Sequence, residues 1–431
     1  MMRSKVVWGV RLVRSSLCLV AACTAVLTLS ACVDQGAAGR YGASPATGAG
    51  VVPGAQPAPT LGRRVAILVP LTGPNAEVGR TLLQAAQLSF AQQGSPTLDA
   101  QDTGGTPEGA ATAARTAIGA GAGVLLGPLT NAETAAAAPV ARAAGVPVLA
   151  FTSDQTQAQP GVWTLGVTPA QQVRRLVLAV ASEGKSRIAA VLPQNAFGDA
   201  LAAGLLAAAN EAKLPEPRIV RAPYTFAGFN DALKTVADYS SRRGAIEAQQ
   251  RAARASKDAD GRRQAADLGN QPVPPPPMDA LFLGATGDIL GQVVPLLAFY
   301  DIAPAQLRVL GPGIWLRDAS RQPALAGAWF AAPDPGARAG FEQQYAAKYS
   351  APARDIASLA YDAAGIARAI SAPQGFSVPA LERPEGFAGA DGLLALRQDG
   401  TVRRGLAIFE VDRGGAHIVQ PAPQTIAAPG A

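Results

Sequence analysis

The chain has 431 residues, 48% of them apolar, and its 37 Lys and Arg against 31 Asp and Glu give a formal charge of +6. Four of those cations, Arg3, Lys5, Arg11 and Arg14, precede Cys32 with no acid among them, so the rest carries only +2, too little basic excess for a nucleic-acid surface. Cys18, Cys23 and Cys32 are all the cysteines, which removes disulfides, thiolate catalysis and Cys-based metal sites from everything that follows.

The opening segment combines those cations with the apolar run Leu17 to Leu29 and the ending Leu29-Ser30-Ala31-Cys32. A run of about a dozen apolar residues is too short to cross a bilayer and reads as an export signal over residues 1–31. Its ending resembles the bacterial lipobox, which makes Cys32 the expected lipidated first residue of the mature chain. Residues 32–61 are rich in Gly, Ala and Pro without apolar periodicity, the pattern of a flexible tether.

From Arg64 short β-branched runs alternate with Ala-rich helical stretches. The spacing predicts strands over 64–70, near 97–101, at 124–126 and over 146–151, with helices over 76–92, 107–119 and 132–144 between them. After Trp163 the rhythm restarts: helices over 169–183 and 198–213, strands over 187–192 and 218–222, and a helix from Asn230. This βαβ repetition predicts an α/β fold of two Rossmann-like lobes, each a parallel sheet flanked by helices, joined by hinge crossovers. Lobe 1 is expected over 62–166 and 336–391, and lobe 2 over 167–335 and 392–420.

Residues 240–277 interrupt the second lobe with seven Arg and Lys, four Asp and Glu and a closing Pro run. Such a segment is expected to be a solvated helical extension outside the core. The α/β pattern resumes at Asp279. It ends in an apparent hairpin of Gly392–Leu396 with Leu406–Val411 through Gln398-Asp-Gly400.

Leu71-Thr-Gly-Pro-Asn-Ala-Glu-Val-Gly-Arg-Thr81 follows a strand and enters a helix, as a phosphate-cradling loop does. The chemistry fails: five residues separate Gly73 from Gly79, Arg80 stands where Lys is needed, Pro74 lacks a donor and Glu77 would oppose phosphate. Gly119-Ala-Gly-Ala-Gly123 precedes its strand, and Gly284-Ala-Thr-Gly287 lacks the third glycine of a dinucleotide fingerprint. The single histidine, His417, falls in a Gly-rich tail without a nucleophile beside it, and no segment clusters carboxylates or metal ligands. No catalysis, cofactor or metal is expected.

Several short motifs in order carry a family resemblance. Val69-Pro-Leu-Thr-Gly-Pro-Asn-Ala-Glu-Val-Gly79, Asp102-Thr-Gly-Gly-Thr-Pro-Glu108, Leu126-Gly-Pro-Leu129 with Ala144-Gly-Val-Pro-Val148, and Asn195-Ala-Phe-Gly198 resemble the signatures of the leucine-binding-protein family of type I periplasmic binding proteins, from about Arg63 to Val411. The resemblance implies two lobes closing on a ligand by hinge motion. Carried over position by position, it places the cleft candidates at Val78, Asn131, Thr152, Ser153, Asp154, Phe197, Thr286 and Gly313. Most depart from the amino-acid-binding pattern: Val78 replaces an aromatic, Asn131 a Ser, and Gly313 the acid that meets an α-ammonium.

A lipoprotein of this fold without the amino-acid site resembles the penicillin-binding-protein activators. That resemblance implies regulation of a peptidoglycan synthase at the periplasmic face of the envelope, in the outer membrane if the host is Gram-negative. The alternative is a solute receptor that hands a small polar ligand to an ABC permease.

Overall fold

The computed structural model describes residues 64–271, 273–318, 321–371 and 376–425. The export signal, Cys32 and the tether lie outside the described residues.

Arg64–Val69 (β1), Leu98–Asp102 (β2), Ala122–Leu126 (β3), Val148–Ala150 (β4) and Val162–Thr164 (β5) form a parallel sheet in the order β2-β1-β3-β4-β5. β1 reads as a continuous apolar run because both of its faces are covered. On one face, helix Ala76–Ser89 (α1) packs with Leu82, Ala85 and Ala86 against Ile67 and Leu126. On the other face lie Pro107–Gly119 (α2) and Asn131–Ala143 (α3), whose alanines 110, 113, 114, 137, 138 and 141 are buried against Leu68 and Leu125. Both helices start where their caps dictate. Thr106 accepts from Gly109 N ahead of Pro107, and Thr130 with Glu133 forms a reciprocal capping box.

The second sheet repeats that winding. Ile188–Pro193 (β6), Arg218–Ala222 (β7), Ala280–Leu283 (β8), Arg308–Gly311 (β9) and Trp329–Ala332 (β10) run parallel in the order β7-β6-β8-β9-β10. One face buries Val173 and Leu176 of Pro169–Ser182 (α4) and Leu201 and Leu205 of Ala196–Glu211 (α5). The other buries Phe229 and Leu233 of Phe226–Val236 (α6) and Leu290 and Val294 of Gly287–Phe299 (α9). Two doubly wound halves of like order place their switch points at the strand ends after β1 and β3, and after β6 and β8.

Gly79 and Gly198 mark the same close approach in both halves. A Cβ would stand 1.8 Å from Pro70 O at Gly79 and 1.9 Å from Pro193 O at Gly198. The glycine that suggested a phosphate loop is there for helix-to-strand packing.

Three elements differ from the sequence expectation. The helix placed from Asn230 begins at Phe226, where Thr225 caps Gly228 N. Gly392–Leu396 (β12) turns through residues 397–401 to Val402–Arg404 (β13) and pairs on its other side with Phe387–Gly389 (β11). The expected partner, now Ala407–Asp412 (β14), instead joins the second sheet antiparallel to β10 and carries Gly415–Gln420 (β15) at the edge. Leu394, Leu396 and Val402 lie in the first core, on the side assigned from sequence to the second lobe. His417 sits in β15 rather than in a tail, with Nδ1 3.1 Å from Asp412 Oδ2.

The 240–277 segment forms a helical hairpin, Tyr239–Ala255 (α7) and Ala259–Gly269 (α8), with a small cluster of its own around Ala253, Ala265 and Leu268. Its base is not solvated. Arg242 is buried and donates to the carbonyls of Ala237, Pro274 and Tyr300 at 2.7–2.8 Å.

Candidate functional site

The lobes are joined by residues 165–168 after β5, 333–334 after β10 and 405–406 before β14. Beside the second crossover, Trp315–Asp318 (α10) of the second lobe faces Pro335–Tyr349 (α11) and the start of Ala357–Ile370 (α12). Between them lies a cavity of about 620 Å³. Its apolar lining comes from Val167, Ile314, Leu316, Ile356 and Leu359.

A chain of charges also lines it. Arg317 Nη2 meets Asp355 Oδ2 at 2.6 Å, Arg338 Nη1 meets Asp355 Oδ1 at 3.1 Å, and Arg338 Nε meets Asp391 Oδ1 at 2.6 Å. Ser358 Oγ donates to the other Asp391 oxygen at 2.6 Å. Asp391 is 2% exposed, whereas Arg317 and Asp355 are 74% and 68% exposed. The chain therefore runs from a solvated ion pair, worth little by itself, into a desolvated one.

Of the eight sequence candidates, Gly313 alone lines this cavity. Its N–H donates to Gln172 Oε1 at 2.7 Å, and a Cβ there would stand 2.6 Å from Ala331 O. Gly313 has no room for a side chain.

Asn131, Thr152, Ser153 and Asp154 do come together on the first lobe. Asn131 Nδ2 donates to Asp154 Oδ2 at 3.2 Å, Asp154 N donates to Thr152 Oγ1 at 3.0 Å, and Asp154 Oδ1 accepts from Thr156 N and Oγ1. Partial burial pushes the Asp154 carboxyl up, but those bonds from Thr156 and Asn131 outweigh it and hold it below the usual carboxylate range. Val78 is half-buried in α1 against the first core.

On the second lobe Phe197 packs against its own core, and Thr286 is bonded to the Tyr224 hydroxyl through O and Oγ1, each at 2.8 Å. Among the described residues no hydrogen bond joins the first-lobe candidates to those of the second.

The Leu71–Thr72 loop is likewise already occupied. Asp102 accepts from Leu71 N at 2.8 Å, Thr72 Oγ1 at 2.7 Å and Gly104 N at 2.8 Å. The backbone donors an anion would need are satisfied by the protein's own carboxylate. Among the described residues no group of three or more His, Cys, Asp or Glu is arranged to hold a metal, and no helix is long and apolar enough to cross a membrane.

Sequence reasoning missed Arg317, Arg338, Asp355, Ser358 and Asp391. They share no local motif, since the cavity assembles them from segments on both sides of the second crossover.

The family model of periplasmic binding proteins matches residues 63–416. Among solved structures, a candidate branched-chain amino acid ABC transporter protein from Rhodospirillum rubrum aligns with a TM-score of 0.62 at 18% identity, over 83% of this chain and 99% of that one. Full-length LpoA from Haemophilus influenzae aligns with a TM-score of 0.61 at 15% identity, over 84% of this chain and 59% of LpoA. The C-domain of LpoA, described as a regulator of PBP1A, aligns with a TM-score of 0.57 at 16% identity, over 83% and 99%. At these identities the likeness is one of fold. No curated protein matches the chain.

Proposed function

The chain belongs to the periplasmic binding protein family, and from that premise we propose that it is a non-catalytic lipoprotein regulating a peptidoglycan synthase in the periplasm. The observation that carries this reading is Gly313, where packing against Ala331 O leaves no room for the acid that would hold a ligand's ammonium. Asp154 adds to it by setting a carboxylate against the other end of an amino acid. Losing two such charge-assisted contacts costs about 3 to 6 kcal/mol, which moves a micromolar site to about 0.1 mM or weaker. The fold shared with the LpoA C-domain, a regulator of PBP1A, supports the same reading.

Anchoring follows from Cys32. A diacylated cysteine at that position would hold the chain at its membrane. The outer membrane is favoured if the host is Gram-negative. The test adds the purified protein to the host's bifunctional synthase and follows glycan crosslinking. A rise in rate supports regulation, and an unchanged rate contradicts it.

A second reading has its own observation. A cavity of about 620 Å³ with both apolar and charged lining fits a small amphipathic solute. As an ABC-importer receptor the protein would bind such a solute at micromolar affinity and leave synthase activity unchanged.

A further inference from the structure

A second cavity, of about 350 Å³, opens where α4 and α5 meet the turn between β12 and β13. Its floor is made of small residues, Ala170, Gly204 and Ala208, and its rim carries Arg174, Arg403, Glu211 and Asp399. The two acids are engaged. Glu211 takes Arg174 through two bonds of 2.7 Å, and Asp399 Oδ1 accepts from Thr401 N at 2.9 Å and from its Oγ1 at 2.6 Å.

Arg403 is different. It is half-buried at the cavity and has no hydrogen bond or ion pair among the described residues. Burial pulls its guanidinium below the ordinary range, the Arg174 and Arg397 charges pull the same way, and Glu211 and Asp399 oppose them. Arg403 thus stands as a positive charge without a hydrogen-bond or ion-pair partner among the described residues, in a partly desolvated recess. A bound anion removes that cost.

We propose that this cavity binds a small oxyanion, a carboxylate or phosphate, with Arg403 as its charge partner. The volume, about 350 Å³, lies at the lower end for small-molecule sites and suits a short skeleton. Gln171 on α4 donates to Val402 O at 2.5 Å, so the site sits on the junction between a second-lobe helix and a strand of the first core. It is separate from the larger cavity and does not depend on the regulator reading.

The test is calorimetry of the full chain in detergent, at fixed ionic strength in a buffer free of carboxylate and phosphate, with succinate and inorganic phosphate titrated separately. At least one is expected to bind, and Arg403→Gln to weaken that binding about tenfold or more, while Arg317→Gln leaves it unchanged. Succinate alone identifies the anion as a carboxylate, and phosphate alone as a phosphate. No heat from either, or binding indifferent to Arg403→Gln, overturns the proposal. If Arg403→Gln loses its thermal transition, Arg403→Lys decides: reduced but measurable affinity supports the site, and unchanged affinity contradicts it.

Discussion

Arg404 and Asp362 face each other at 3.5 Å with both side chains fully buried. Arg404 also donates twice to Leu165 O, at 2.7 and 3.2 Å, and Asp362 accepts from Ala390 N at 2.5 Å. The pair thus ties the first crossover to α12 and to the strand before the third. Arg404→Ala would leave a buried carboxylate uncompensated and is expected to cost about 3 to 5 kcal/mol in urea unfolding. A loss below about 1 kcal/mol would show that the hinge does not depend on this contact.

The same pair sets a pH dependence. Burial pushes the Asp362 carboxyl up to about 6; the Arg404 charge pulls the other way and the Asp391 charge adds to the rise. A carboxyl whose folded value lies above its unfolded value of about 3.9 contributes stability that is full below about 4 and lost as pH rises through about 6. Asp362→Asn is expected to remove that fall from a pH series of unfolding free energies. An unchanged slope between those limits would contradict it.

Asp279 has the opposite sign. The Arg187 guanidinium, followed by the Arg187 and Ser186 backbone N–H groups, holds its carboxyl at about 2 against partial burial. Its contribution is full above about 4 and lost as pH falls through about 2. Asp279→Asn should cost about 1 kcal/mol at neutral pH, allowing for solvent screening, with the difference shrinking between about pH 4 and pH 2. A pH-independent difference would assign the loss to packing alone.

Arg242 divides the inserted hairpin into a required base and a dispensable arm. Arg242→Ala removes the donor from three carbonyls, of which those of Ala237 and Tyr300 are buried, and is expected to cost about 2 to 4 kcal/mol. Replacing 247–267 with a short Gly-rich link should leave a single cooperative thermal transition, because the arm's cluster packs on itself. Loss of that transition would show that the arm supports the second lobe.

How far the sequence could be read follows from where each signal lies. β1 and β6 are continuous apolar runs, and α2 to α4 announce themselves with Thr caps, so local chemistry suffices. β5, β9 and β10 escape because three or four residues are too few to show a period. β14 was paired with β12 because its alternation fits either partner, and only tertiary packing sends it to β10. The larger cavity is the extreme case. Arg338 reaches Asp391 across 53 residues and Arg317 reaches Asp355 across 38, with no spacing rule to join them.

Cys32 is expected to carry the lipid. Cys32→Ala should release the protein from membranes in detergent-free fractionation. Continued partitioning with the membrane would contradict the lipobox reading.

The central claim is that the cleft is not built for α-amino acids, and calorimetry tests it most directly. Leucine, isoleucine and valine should each give no binding tighter than about 0.1 mM, as expected for a site with no acid at Gly313 and a carboxylate at Asp154. Micromolar binding of any one of the three would contradict the account and return the protein to the solute receptors.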